Sequence, residues 1–161
     1  MIVHSFKEIK ILPNSLIFID LNKTLISYLP NKNDTLLKKY IKGNLTRKEY
    51  LEIVTTHKPY ILDKNNFNDF MNKIKKTNSK IMMLTSIKEG IKSKISKTVK
   101  DAKIPIKKII YSKIKGQTIK NMKSKYKYDN ILFIDDSLKK IKSVEELNPE
   151  VITYRIKHKL L

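Results

Sequence analysis

Cysteine is absent from this 161-residue sequence, so neither a disulfide framework nor a thiolate metal site is open to it. No apolar run approaches the roughly 20 residues that a membrane-spanning helix needs. The opening stretch, Met1 to Lys7, has no apolar core long enough for a secretory signal. A cytoplasmic protein with no membrane span is expected. No internal repeat and no low-complexity linker divides the chain, which predicts one domain over residues 1–161 around a single core. Arginine is nearly missing as well: of 35 basic residues, only Arg47 and Arg155 are arginine.

Lysine fills the gap, and the formal net charge is +20. Two readings stand. One is a polyanionic partner, a nucleic acid or an anionic membrane surface. The other is compositional drift, since lysine, isoleucine and asparagine are the residues of AT-rich codons. Arginine, the better tool for bidentate phosphate recognition, is scarce. Under either reading, the charge raises the encounter rate with anionic substrates.

Two stretches stand out. Leu16-Ile17-Phe18-Ile19 runs straight into Asp20, and Ile131-Leu132-Phe133-Ile134 into Asp135-Asp136. Each apolar run reads as a strand buried on both faces, as in a parallel sheet. Each acid then sits at the strand's carboxyl end, where open α/β sheets bind ligands. Adjacent carboxylates repel, and a divalent cation is the usual resolution. A third strand, 80–85, ends in Thr85-Ser86. Hydroxyls and backbone N–H groups there can hold phosphoryl oxygens, or simply cap a helix starting at Ile87.

The remaining periodicities predict helices over 35–42, with Asp34-Thr35 as cap and Gly43 as stop, and from the Thr46/Glu49 capping box to about His57. Residues 27–33 read as a loop, and residues 2–12 as a short strand or an irregular arm. Further helices are predicted over 66–77, 87–101, 117–126 and 138–147, the last capped by Ser137. Strands are predicted over 107–111 and 151–155. Strands alternate with helices from residue 78 onward, so the fold class is α/β with a five-stranded, mostly parallel sheet flanked by helices.

Acid, hydroxyl, lysine, paired acids: Asp20, Thr85, Lys115 and Asp135-Asp136 in that order resemble the haloacid dehalogenase superfamily of phosphohydrolases over roughly residues 14–155. The resemblance implies a Rossmann-like fold and Mg²⁺-dependent hydrolysis of a phosphomonoester. It implies Asp20 as nucleophile and metal ligand, the backbone carbonyl of Asn22 as a second ligand, and Asp135 with Asp136 completing the set. Thr85, with Ser86 beside it, would bind phosphate, and a lysine would stabilise developing charge. Lys115 and Lys113 compete for that role; Lys115 is favoured because Gly116 lets the backbone approach closely.

One position departs from the pattern. The family's first motif is usually Asp-x-Asp-x-Thr/Val, and here it reads Asp20-Leu21-Asn22-Lys23-Thr24. The missing aspartate is the family's general acid/base, and an amide does not exchange a proton at neutral pH. A slow or differently assisted phosphatase, a protein that binds without turnover, and an engineered Asp-to-Asn exchange all fit. His57 and Lys23 are candidate substitutes; for His57 a surface position at a helix end is the plainer reading. The segment 25–60 has room only for a small helical cap. A lightly covered site suits large substrates, and with the positive charge a nucleotide or nucleic-acid phosphate ranks first. The alternative is a basic binding module for a polyanion with little catalysis.

Overall fold

The computed structural model describes residues 1–86 and 91–159. In chain order it forms β1 (Ile2–Val3), a 3₁₀ turn (Phe6–Glu8), β2 (Ser15–Ile19), β3 (Ile26–Tyr28), α1 (Thr35–Lys42), α2 (Arg47–Thr56), β4 (Pro59–Ile61) and α3 (Lys64–Lys76). There follow β5 (Lys80–Thr85), α4 (Lys92–Asp101), β6 (Ile109–Tyr111), α5 (Lys115–Lys123), β7 (Asn130–Asp135), α6 (Leu138–Leu147) and β8 (Ile152–Ile156). Residues 87–90 of the helix predicted over 87–101, with its Ile87 start, lie outside the described residues.

Six strands, not five, make one sheet in the order β1-β8-β7-β2-β5-β6, and every pair in it is parallel. The sixth is β1, which pairs Ile2 with Arg155 and Val3 with Ile156. It falls in the 2–12 stretch read as a short strand or an irregular arm, and the distant partner decides for a strand at Ile2–Val3. A second correction concerns residues 26–28. The turn-rich composition of 27–33 predicts a loop, but Ile26–Tyr28 pairs antiparallel with Pro59–Ile61, a contact that local composition does not report. Helices α1 and α2 lie between these two strands in the chain.

The strand period explains the core. Along β2, Leu16 and Phe18 join one apolar cluster and Ile17 and Ile19 the other, because successive side chains point to opposite faces. On β7, Phe133 joins the first while Leu132 and Ile134 join the second. Ile119 of α5 and Ile141 and Val144 of α6 cover the first face. Phe67, Phe70 and Ile74 of α3, with Ile95 and Val99 of α4, cover the other. A sheet covered on both faces needs apolar residues at consecutive positions, as these runs supply.

Caps form where the sequence places them. Asp34 accepts from the Leu37 N–H at the start of α1, and Gly43 closes that helix at φ 76°, a conformation that costs glycine little. Thr46 and Glu49 exchange both bonds of a capping box at the start of α2. Among the described residues no helix is long and apolar enough to cross a membrane.

Candidate active site

Asp20 leaves the end of β2, and its N–H donates to the carbonyl of Ile134 on β7 at 2.9 Å. Asp135 is the last residue of β7. The neighbouring strands therefore deliver both acids to one edge. Carboxylate oxygens of Asp20, Asp135 and Asp136 all lie within 4.8 Å of one another.

Lys115 comes from the first turn of α5 and is only 1% exposed. Its Nζ donates to Asp20 Oδ1 at 2.5 Å and to Asp135 Oδ2 at 2.7 Å. The helix begins two residues earlier than the predicted 117, so Lys115 lies inside it. Lys113 is exposed, and its backbone carbonyl accepts from Lys140 Nζ at 2.8 Å. Gly116 is required by a neighbour, because a Cβ there would lie 2.3 Å from the Ser143 carbonyl oxygen of α6. Glycine at 116 lets the two helices approach and seats Lys115 under the acids.

The other oxygen of Asp135 accepts from the Ser137 N–H at 2.8 Å. Thr24 Oγ1 accepts from the Asp136 N–H at 2.9 Å, and Lys23 Nζ stands 3.4 Å from Asp136 Oδ2. Lys23 adopts φ 59°, a left-handed conformation that disfavours side chains. Its N–H bonds the Ile26 carbonyl at 2.9 Å, closing the tight turn after the acid.

Crowding shows in the acids' proton affinities. Burial, then the like charge of Asp20, pushes the Asp135 carboxyl up to about 7 against the opposing pull of Lys115. Asp136 is raised by burial and Asp20, with Lys23 opposing. Burial disfavours the charged ammonium of Lys115, but Asp20 and Asp135 outweigh it and raise its pKa. Lys115 and Lys23 contact the three carboxylates, yet Asp135 and Asp136 still hold their protons more tightly than usual. An all-oxygen donor set fits a hard divalent cation such as Mg²⁺.

β5 runs beside β2 in parallel, with Met83 opposite Ile19, so Thr85 and Ser86 end at the same edge. Thr85 Oγ1 and Ser86 Oγ are buried and have no hydrogen-bond partner among the described residues. A buried hydroxyl without a partner is uncommon and invites a ligand.

Asn22 is gripped by two tyrosines. Its Nδ2 donates to Tyr50 Oη at 2.8 Å, and its Oδ1 accepts from Tyr40 Oη at 3.4 Å. Burial, with repulsion from Asp20, pushes the Tyr50 hydroxyl up to about 12, although the bond from Asn22 works the other way. Tyr28 and Tyr40 are buried and meet edge to face, as internal packing predicts. Tyr50 does both: it packs against the core and lines a cavity with Asn22, Ser86 and Arg47. His57 is not on the surface: it is buried, with Nε2 2.6 Å from Asp34 Oδ2 and Nδ1 2.8 Å from Thr56 Oγ1. That pairing ties α2 to the start of α1 and commits both ring nitrogens.

No protein-family model matches the sequence, and no curated protein matches it. Among solved structures, the class C acid phosphatase from Bacillus anthracis is similar with a TM-score of 0.54 at 14% identity, over 91% of this chain and 69% of that one. A putative haloacid dehalogenase-like hydrolase from Burkholderia xenovorans LB400 gives 0.48 at 10% identity, over 88% and 81%. A Pnkp1/Rnl/Hen1 complex gives 0.48 at 10%, over 92% of this chain and 48% of that one. At such identity the first likeness is one of fold, and the two below 0.5 carry no argument. The chain thus has a Rossmann-like α/β fold, and its chemistry rests on its own residues.

Proposed function

We propose that this protein is a Mg²⁺-dependent phosphomonoester hydrolase of the haloacid dehalogenase type, working through Asp20. The observation that carries the reading is the buried Lys115, bonded to Asp20 and Asp135 together at the carboxyl edge of the sheet. A lysine this buried is costly unless paired, and here the pairing holds a candidate nucleophile in place.

A carboxylate oxygen of Asp20 attacks phosphorus, and the bond to the leaving oxygen breaks, giving an aspartyl-phosphate. The leaving oxygen takes up a proton. Water then attacks phosphorus, the bond to Asp20 breaks, and the carboxylate returns with inorganic phosphate. Mg²⁺, held by Asp20, Asp135, the Asn22 backbone carbonyl and Asp136 directly or through water, would offset the repulsion between nucleophile and phosphoryl oxygens. Lys115 orients Asp20 and stabilises charge on the phosphoryl group. The hydroxyls of Thr85 and Ser86 take phosphoryl oxygens, which would satisfy both. Segment 25–60 serves as a small cap, with Arg47 and Tyr50 beside the cavity. A nucleotide or nucleic-acid phosphate suits the charge of +20.

Asn22 favours a second reading, a basic binding module of this fold with little catalysis, because its amide neither gives nor takes a proton. Hydrolysis of an aryl phosphate with Mg²⁺, by this chain and by Asn22→Asp, separates the two. A gain of about 10²–10⁴-fold in the variant is expected if only the acid/base is missing. No turnover by either chain would leave the binding module.

A further inference from the structure

We propose that the cleft between α1 and the end of β8 is an anion site, in which Arg155 holds a phosphate-type oxyanion beside the acids. The site stands on its own residues, whether or not Asp20 turns over a substrate.

Strand register brings Arg155 to this edge. β8 pairs with β7 so that Arg155 lies opposite Asp135, the last residue of its strand. Arg155 Nε donates to the Asp136 carbonyl at 3.0 Å, which fixes one edge of the guanidinium. Its side chain makes no other hydrogen bond or ion pair among the described residues. The residue is half-buried and lines the cleft. A guanidinium carries five donors in a rigid fork, and its two terminal nitrogens can grip phosphate or carboxylate by parallel bonds. With Nε tied down, that second edge is held ready, and lysine offers no equivalent.

The surroundings suit an anion. Lys23 and Lys157 line the same cleft, and Ile41 of α1 adds apolar surface. Its only carboxylate among the described lining residues, Asp136, already has Lys23 Nζ 3.4 Å away. Lys157 is exposed, and no ion pair engages it among the described residues. The His158 ring also lines the cleft, held by its Nε2, which donates to the Thr24 carbonyl at 2.8 Å. About 400 Å³ is available, room for more than a bare phosphate. Asp136 belongs both to this cleft and to the acid cluster, so the two sites adjoin. Two sources share the chemistry: free phosphate, and a second phosphate on a ligand whose first lies among the acids.

Calorimetric titration of the intact chain with inorganic phosphate, without Mg²⁺ and at about 0.15 M salt, tests the proposal. Without the metal, the carboxylates repel phosphate from their own edge, and the salt screens the diffuse surface charge. Binding of a single phosphate per chain is expected. Arg155→Ala should weaken it about 10–100-fold, and Arg155→Lys should recover only part of the loss, since a point charge replaces the fork. Lys157→Ala changes an exposed residue that lies outside β8 and should weaken binding as well, which a mere disturbance of the strand by Arg155→Ala would not predict. Lys142→Ala removes one charge from an exposed position on α6 and should change nothing. Absence of stoichiometric binding, or equal effects of Arg155→Ala and Lys142→Ala, overturns the proposal. Propane and hexane bisphosphonates, each compared with its monophosphonate in the presence of Mg²⁺, separate the sources. A gain of about tenfold that Arg155→Ala abolishes assigns a second group on a larger ligand; no gain assigns free phosphate. Aryl phosphate turnover is measured apart from these titrations, so failure of the hydrolase reading and failure of the anion site remain distinct results.

Discussion

Lys115 Nζ lies 2.5 Å from Asp20 Oδ1, and the same ammonium reaches Asp135 at 2.7 Å. One cation from α5 thereby joins the ends of two strands. Lys115→Met should destabilise the metal-free protein by about 3–5 kcal/mol at neutral pH, because it strands buried carboxylates. Denaturant unfolding measures this. Mg²⁺ or a lower pH should recover much of the loss, and equal loss under all conditions would point to packing instead.

The raised Asp135 carboxyl sets a pH dependence. Its folded value of about 7 lies above the ordinary 3.8, so the folded state holds this proton more tightly than the unfolded chain. The resulting stability is fully present below about pH 4 and is lost as pH rises through about 7. Without divalent ions, this group alone should make the protein less stable at pH 8 than at pH 5, by roughly 2–3 kcal/mol. Mg²⁺ should flatten the difference, and its binding near pH 7 should release protons. Unfolding at both pH values, with and without Mg²⁺, checks the sign.

Thr85→Val separates ligand binding from stability. The hydroxyl is buried without a partner among the described residues, so replacing it with a methyl should leave the free protein as stable or slightly more so. Affinity for beryllofluoride with Mg²⁺ should fall about tenfold, near 1.4 kcal/mol. A clear loss of stability with unchanged affinity would mean that the hydroxyl serves the fold.

Gly116→Ala should force α5 away from α6, since the new Cβ meets backbone at Ser143. A cost of about 1–3 kcal/mol is expected. Lys115 moves with the helix, so hydrolysis should fall as well. Thermal unfolding and aryl phosphate turnover measure the two effects, and normal values for both would show that the helices have slack.

Much of the architecture is legible locally. Runs such as Leu16-Ile17-Phe18-Ile19 announce strands covered on both faces, and the caps at Asp34, Thr46 and Ser137 appear where short-range chemistry places them. What stayed hidden depends on partners distant in the chain. β1 exists through Arg155 and Ile156, and β3 through residues 59–61. His57 is buried by Asp34, 23 positions away.

The sequence by itself determined the alternation of strands and helices and put acids at two strand ends, because side-chain period and capping act over a few residues. Only the tertiary structure decided that Lys115 rather than Lys113 reaches those acids, and that Asn22 meets Tyr50 beside Arg47. Those outcomes follow from how parallel strands register and how closely two helices can approach, which no stretch of chain specifies alone.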